Sequence, residues 1–511
     1  MPISKEKTNN LLWKVLTACW YVTIISFVFY EYLLPVELPI GGHMFLYRVA
    51  VPVTFALFVA WIVRYKYPVF KRPTKVEFWF FVLVGTMALY TVASVFWSLD
   101  VKRWFSKGST IAYSLCFTTM FLILCRDKKV FRNTMVVAVG ILGFCALGGF
   151  AEIFVGQFFD TPYGGDVAFT FFDHGLYAPI FCFYNTNSLA VSTFWGLLLG
   201  IMFLFEKWDD MVPKKRKWWN LLLVIGVALC YFLYMAGSAR TGVICIEILL
   251  GALAVWYLLR HKTGLVAVAV LLLFFRFVYV GVNYAYLTRE PTPTEPTVST
   301  VTTTPSESNP NGDTVPGQTE SSPDGDTVPG PTESSPDGDT VPDSAPSEPT
   351  EPVFDGSHGI ASRGESDAIR VNLLLNGYDM LNKSNWLGIG VGNAEPRMRE
   401  YSNVKGILSL HCFVAELFVE YGIFAIIPFA ALLITLFINW IALLRKSFLR
   451  RDRRLFANTL FQLVTAITFP LASSANSSSW GIMAMWGYLA YLLVDISNKN
   501  RELLTQSKDI S

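Results

Sequence analysis

The chain has 511 residues, of which 53% are hydrophobic, 15% aromatic and 16% charged. Soluble domains usually contain about 25% charged residues, so the composition predicts a membrane protein. A formal net charge of +2 is too close to zero for a nucleic-acid-binding protein, and we predict no nucleic acid partner. The eight cysteines form no CxxC pair, which is typical of core thiols and not of disulfide or metal sites.

Apolar runs long enough to cross about 30 Å of hydrocarbon recur along the chain. They lie at about 12–34, 44–63, 77–97, 108–125, 131–156, 188–205, 219–237, 241–259, 264–285, 423–444, 455–472 and 479–497. We therefore predict an all-α polytopic membrane protein with about twelve transmembrane helices. Helices 1–9 occupy residues 1–285, and helices 10–12 with a cytoplasmic tail occupy 423–511. One large extracytoplasmic loop separates helices 9 and 10.

Basic residues concentrate in the loops on one side of these spans. The clusters that share this side begin at Arg64, Arg126, Lys214, Arg260 and Arg445. Because basic loops stay in the cytoplasm, we predict a multi-pass membrane protein with both termini cytoplasmic. Lys102, Arg103 and Lys107 are an exception, since the predicted spans leave them in an outer loop.

The first part of the large loop, residues 286–361, has the composition of a disordered segment. Glu290–Pro352 is rich in Pro, Ser, Thr and acidic residues, has no Lys or Arg, and repeats Thr-Val-Pro every 13 residues from Thr314. Such a segment cannot bury enough apolar surface to fold. We predict an acidic, extended insertion that takes no part in the chemistry.

The second part, residues 362–422, is predicted to be a structured catalytic loop. A helical segment at Val371–Leu381 is followed by a glycine-rich turn at Gly388–Gly392, and His411 precedes the next apolar run. The turn follows no parallel strand and has no P-loop lysine, so it does not predict a nucleotide site.

Three polar residues, Arg240, Arg370 and His411, are placed at the outer membrane face by the predicted topology. A single arginine at an interface is often only an anchor. Two guanidinium groups together suit a diphosphate, because each binds phosphate oxygens bidentately and keeps its charge. A neutral histidine beside them can accept a proton from a hydroxyl. The chain has no HExxH motif, clustered Cys and His ligands or paired outer carboxylates, and we predict neither a metal nor a cofactor.

The order and spacing of these motifs resemble the bacterial O-antigen ligase and O-antigen polymerase superfamily. Arg370 lies 18 positions before the first glycine of the Gly388–Gly392 turn. The other motifs that carry the resemblance are Tyr184-Asn185-Thr186-Asn187, Gly237-Ser238-Ala239-Arg240-Thr241-Gly242 and His411 followed by Glu420-Tyr421-Gly422.

The resemblance implies a metal-independent, inverting glycosyltransferase that works outside the cytoplasmic membrane. Its donor would be a glycan on undecaprenyl diphosphate, its acceptor a glycan or lipid-linked glycan, and membrane lipid would surround it. Arg240 and Arg370 would hold the diphosphate, and His411 would orient or deprotonate the acceptor. Substrate-binding roles are assigned to Arg363, Asn185, Asn187 and Glu420, although an asparagine where a helix begins is also an ordinary N-cap.

Two further classes of function remain open at this point. A flippase or polysaccharide transporter for lipid-linked oligosaccharides would place charges along a path at mid-membrane, where the sequence offers Arg276, with Glu247 as its structural partner. A structural anchor that displays the acidic repeats would leave the pattern from Arg370 to His411 unexplained. Polymerase and ligase share one fold, and the sequence does not separate them.

Overall fold

The computed structural model describes residues 11–29, 36–37, 43–66, 73–158, 167–171, 174–183, 186–207, 211–237, 239–260, 274, 363–473 and 483–508. By its internal contacts the chain divides into Met1–Leu287 with Arg363–Ser511, and Thr288–Ser362. The predicted disordered insertion lies outside the described residues. So do Arg276 and, apart from Phe274, the predicted span 264–285.

The described elements are mostly helices. In chain order they are α1 (Leu11–Phe29), β1 (Val36–Glu37), β2 (His43–Met44), α2 (Leu46–Tyr65), α3 (Lys75–Ala93), α4 (Val101–Leu124), α5 (Lys128–Val155), β3 (Val167–Phe171), β4 (His174–Tyr177), α6 (Thr186–Lys207), α7 (Pro213–Ala236), α8 (Arg240–Arg260), α9 (Arg363–Lys383), α10 (Ala394–Met398), α11 (Phe413–Tyr421), α12 (Ile423–Arg450), α13 (Arg453–Ser473) and α14 (Met483–Lys508). The strands form two antiparallel hairpins, β1 with β2 and β3 with β4.

Within the described residues, ten helices are long and apolar enough to cross a membrane. They are α1 to α8, α12 and α13, with α3 extended to Trp97 by a 3₁₀ turn. These helices confirm the predicted all-α polytopic membrane fold and coincide with ten of the twelve predicted spans. Helix α14 overlaps the last predicted span.

The fourth span begins earlier than the sequence suggested. We predicted its start at residue 108, but α4 begins at Val101, where the Asp100 side chain accepts a hydrogen bond from the Arg103 backbone N–H (3.0 Å). This cap satisfies a backbone donor that the helix itself leaves unpaired. Lys102, Arg103 and Lys107 therefore lie in the first turns of α4, and their assignment to an outer loop was wrong.

Helix α6 is the centre of the membrane bundle. It packs against α5, α7, α8, α13 and α14. In its most apolar 18-residue stretch, 83% of the residues are buried. Gly196 allows close contact with α5, since a Cβ there would lie 2.5 Å from Leu142 Cβ. On another side the rings of Trp195 and Tyr488 lie 3.4 Å apart. The helices that carry the candidate site are thus fixed around one packed core.

Glu152, at the end of α5, organises the loop that follows it. Its carboxylate is fully buried and accepts hydrogen bonds from the backbone N–H groups of Phe158 (3.0 Å), Ile180 (2.9 Å) and Phe181 (2.5 Å). A buried carboxylate needs such donors to offset the loss of water. Glu152 therefore fixes both ends of this loop to α5.

The loop between α9 and α11 has a small core of its own. Ile369, Leu373 and Met380 occupy one face of α9, at the spacing of an amphipathic helix. They pack on apolar residues that follow α9, namely Ile389, Ala394, Met398, Val404, Leu410 and Val419. Two asparagines fasten this core, since Asn376 Nδ2 donates to Asn403 Oδ1 (2.8 Å). Arg370 and His411 are thus carried by a folded unit.

Candidate active site

His411 lies in a sharp turn just before α11. Its φ of +51° places the backbone in the left-handed region, which few residues other than glycine adopt, although histidine does so more often than most. Its backbone N–H is 3.4 Å from Ser409 Oγ, and its side chain is half-buried. The turn positions the imidazole at the beginning of α11.

Arg370 is exposed on α9, the helix that packs against α11. Burial lowers the pKa of His411 to about 4, and the positive charge of Arg370 acts in the same direction. The structure therefore brings these two predicted site residues close enough for their charges to interact. His411 is neutral at pH 7 and can accept a proton there.

Five charged side chains, which we call the charge cluster, join α4 to α10 and α11. They are Arg103, Lys107, Glu395, Glu416 and Glu420. Lys107 Nζ forms a short ion pair with Glu416 Oε1 and lies 3.3 Å from Glu420 Oε1 and 3.7 Å from Glu395 Oε1. Arg103 forms a short ion pair with Glu395. These contacts hold α11, and with it His411, against the membrane bundle.

The charge cluster is largely shielded from solvent. The side chains of Glu416, Glu420 and Lys107 are 4%, 0% and 16% exposed. Burial raises the pKa of Glu420 to about 7, opposed by the Lys107 ammonium and reinforced by the Glu416 carboxylate. Removing Lys107 would leave two buried carboxylates without their cation, a costly arrangement. Its role is therefore to secure the loop.

The glycine-rich turn also attaches the loop to α11. Ile389 and Gly390 donate backbone hydrogen bonds to the carbonyl oxygens of Val419 and Glu420 (both 3.0 Å). A Cβ at Gly388, whose φ is +87°, would lie 2.5 Å from the Glu420 carbonyl oxygen. The turn requires glycine because the left-handed conformation and the close approach both exclude a side chain. The backbone N–H groups of this turn donate hydrogen bonds to α11.

Arg240 lies on the turn between α7 and α8, as the first residue of α8, and its side chain is exposed. A Cβ at Gly237 in this turn would lie 2.9 Å from Thr186 Cβ, so the turn packs on the first residue of α6. Asn187 follows Thr186 and is half-buried. Arg240 and Asn187 therefore both lie at the end of the bundle where α6 and α8 begin.

Residues 225–430 match a model of the O-antigen ligase family. The match supports the resemblance to this superfamily that the motifs carry. No curated protein matches the chain. As the description of an O-antigen ligase implies, the matched region supports a role in joining or polymerising glycans, with lipid-linked glycan and membrane lipid as general partners. Arg240, Arg370 and His411 all lie within the match.

For the other residues predicted to bind substrate, the structure gives less information. Arg363 is the first residue of α9, but its side chain is not described, and Asn185 lies outside the described residues. Glu420 is fully buried and contacts Lys107 and the Gly392 N–H (3.1 Å), which favours a structural role over substrate binding. In the described part of the chain, no group of three or more His, Cys, Asp and Glu residues is arranged to hold a metal ion.

Sequence reasoning missed Arg103 and Lys107 as residues that support the candidate site. A signal was present, because Arg103 and Lys107 are four residues apart, as are Glu416 and Glu420. On helices this spacing puts each pair on one face, and two faces of opposite charge can pair. Because we predicted that α4 begins at residue 108, Arg103 and Lys107 were not assigned to a helix and this charge pairing was not recognised.

Proposed function

We propose that this protein is a metal-independent, inverting glycosyltransferase that polymerises or ligates glycans carried on undecaprenyl diphosphate. The reaction takes place on the outer side of the cytoplasmic membrane and serves cell-surface polysaccharide synthesis. The observation that carries the proposal is that Arg370 and His411 lie on one folded loop, each next to a residue of its small core, within the region that matches the O-antigen ligase family.

His411 is the base in this mechanism. The acceptor hydroxyl transfers its proton to the imidazole as its oxygen attacks the anomeric carbon of the donor glycan. A histidine that is already neutral at pH 7 is ready for this step without first losing a proton. Attack from the face opposite the diphosphate breaks the bond to the leaving group and inverts the anomeric configuration.

Arg370 and Arg240 bind the diphosphate. Negative charge grows on its oxygen as the bond to the sugar breaks, and fixed guanidinium groups stabilise that charge. Arg240 is the first residue of α8, where backbone N–H groups and the helix dipole add to the attraction for an anion. The charge of Arg370 adds to the burial that keeps His411 neutral, and the imidazole accepts the proton as a weaker base than an ordinary histidine.

The membrane orientation agrees with this proposal. Helices α6 and α8 begin on the same face of the bundle, because α7 runs back between them. Helix α12 also begins there, because α13 runs back from it and lies antiparallel to α6, with Phe461 beside Phe205 and Phe469 beside Trp195. Arg240, Asn187 and the loop that carries His411 therefore share that face. The basic loops lie on the opposite face, which the positive-inside rule assigns to the cytoplasm.

The test is an analysis of lipid-linked glycans in a strain that lacks the gene. We expect single repeat units on undecaprenyl diphosphate to accumulate if the protein is a polymerase, and long lipid-linked chains if it is a ligase. The accumulated glycan should be accessible from outside the cytoplasmic membrane. Accumulation only on the inner leaflet would contradict the proposal and favour a flippase, and an unchanged glycan pool would exclude both activities.

A further inference from the structure

A cavity lies on the side of the bundle opposite His411, where α5 and α13 begin, near the end of α6 and against the middle of α14. Its volume is about 490 Å³. The residues that line it are Lys128, Lys129, Phe131, Arg132, Met135, Leu199, Met202, Phe203, Asn458, Tyr491, Asp495, Asn498 and Lys499. No step of the proposed glycan transfer uses this cavity.

The lining divides into a charged part and an apolar part. Lys128, Lys129, Arg132 and Lys499 supply four cations, against the single carboxylate of Asp495. Asp495 is already engaged by Lys499 (2.5 Å) and by a short hydrogen bond from Gln462. Within the described residues, no carboxylate pairs with Lys129 or Arg132, and both are exposed. The cavity mouth therefore has an excess of positive charge.

The apolar part begins next to these cations. Phe131, Met135, Leu199, Met202 and Phe203 come from α5 and α6 and extend the cavity along the membrane-spanning part of both helices. An anion bound at the mouth would therefore lie directly beside these apolar side chains. A soluble phosphate would make no contact with them, whereas the acyl chains of a lipid would cover them.

We propose that this cavity binds an anionic phospholipid. The lipid phosphate lies among Lys129, Arg132 and Lys499, and its acyl chains follow Met135 and Phe203 between α5 and α6. Asn458 and Asn498, whose amide nitrogen donates to the Cys125 carbonyl (3.2 Å), line the cavity beside the headgroup.

The test is native mass spectrometry of the full-length protein released from nanodiscs that contain equal amounts of phosphatidylglycerol and phosphatidylcholine. The double variant Lys129→Gln/Arg132→Gln removes two exposed cations from the cavity. The matched control, Lys214→Gln/Lys215→Gln, removes two exposed cations from the beginning of α7, on the same face but outside the cavity lining. Both variants conserve side-chain polarity, so folding should be unaffected.

We expect the wild type and the control to retain phosphatidylglycerol in preference to phosphatidylcholine. The cavity variant should lose affinity for phosphatidylglycerol by about fivefold per removed cation, or roughly 25-fold in total. Equal retention of both lipids by the wild type, or an equal loss in the control, would overturn the proposal. Displacement of the bound lipid by millimolar glycerol phosphate would show a site for soluble phosphate and would also overturn it.

Discussion

His411 combines an unusual backbone conformation with an unusual protonation state, and both have consequences for its substitution. Its left-handed backbone favours glycine or asparagine as a replacement, because alanine is strained at positive φ. Replacement by alanine therefore mixes the loss of the base with a change in the turn. Asparagine keeps the turn and removes only the base, so His411→Asn is the more informative variant.

The protonation of His411 should depend on Arg370. In a protein whose other histidines are replaced, modification of His411 by diethyl pyrocarbonate, which reacts with neutral imidazole, should have its midpoint near pH 4. Arg370→Gln removes the neighbouring positive charge, so the pKa of His411 should rise toward its ordinary value of about 6.5, while burial keeps it below that value.

The control for this measurement is Arg399→Gln, which removes an exposed charge from the same loop. It should leave the midpoint unchanged. A wild-type midpoint near 6.5, or one that does not move in Arg370→Gln, would show that the two side chains are not coupled.

At the scale of elements, the charge cluster fixes α11 to α4. Lys107→Met should lower the free energy of unfolding by about 3–5 kcal/mol, because it leaves buried carboxylates without a cation. Thermal unfolding in detergent measures the change. The same substitution at Lys383, whose ion pair with Asp379 (2.8 Å) is well exposed, should hardly move the midpoint.

A rescue experiment separates loss of the ion pairs from loss of packing. Adding Glu416→Gln and Glu420→Gln to Lys107→Met removes the charges that Lys107 would have neutralised. Most of the lost thermal stability should return. Equal midpoints for Lys107→Met and the triple variant would contradict the electrostatic account of the cluster.

The glycine-rich turn offers a second test at this scale. Gly388 and Gly406 both have positive φ (+87° and +77°), but a Cβ would meet the Glu420 carbonyl oxygen only at Gly388, and nothing within 4 Å at Gly406. Alanine at either position incurs roughly 1–3 kcal/mol of backbone strain. Gly388→Ala should therefore lower the midpoint of thermal unfolding clearly more than Gly406→Ala, and equal effects would show that the close approach does not matter.

The sequence predicted most elements of this bundle but not how they are joined. Long apolar runs mark the membrane helices because every span must be apolar for its whole length. The beginning of α4 was missed because Lys102, Arg103 and Lys107 interrupt the apolar run. Of these, Arg103 and Lys107 pair with acidic residues about 300 positions later in the chain. Such long-range pairing leaves only a weak trace in a single sequence.

For the site, motif spacing indicated Arg370 and His411, and the structure places them on one folded loop, close enough for their charges to interact. The role of Glu420 was harder to predict, because a carboxylate just before an apolar run is also where a substrate-binding residue would lie. Its burial against Lys107 depends on the tertiary structure, which brings together residues 313 positions apart. The conformation of His411 at +51° likewise depends on how the loop enters α11, which residue types alone do not specify.

For the whole molecule, the topology can be tested with single cysteines in a background without reactive native thiols. Glu400 is exposed on the loop that carries the site, and Lys215 is exposed at the beginning of α7. We expect a membrane-impermeant maleimide to label Glu400→Cys in intact cells, and Lys215→Cys only after the membrane is opened. Labelling of both in intact cells would show that the assigned orientation is wrong.

The central claim is glycan transfer that uses His411 as base and Arg370 as diphosphate ligand. The direct measurement is the rate of glycan transfer by purified protein in nanodiscs, with lipid-linked donor and chelator present. Loss of the base in His411→Asn should reduce the rate by about 10²–10⁴. Arg370→Lys keeps the charge but loses bidentate binding, and should reduce it by about 10²–10³.

Arg399→Lys is the matched control on the same loop and should transfer glycan at the wild-type rate. The account predicts that wild-type transfer continues in chelator and that both site variants fail while remaining correctly inserted. Wild-type rates in both His411→Asn and Arg370→Lys, or abolition of wild-type transfer by chelator, would contradict it.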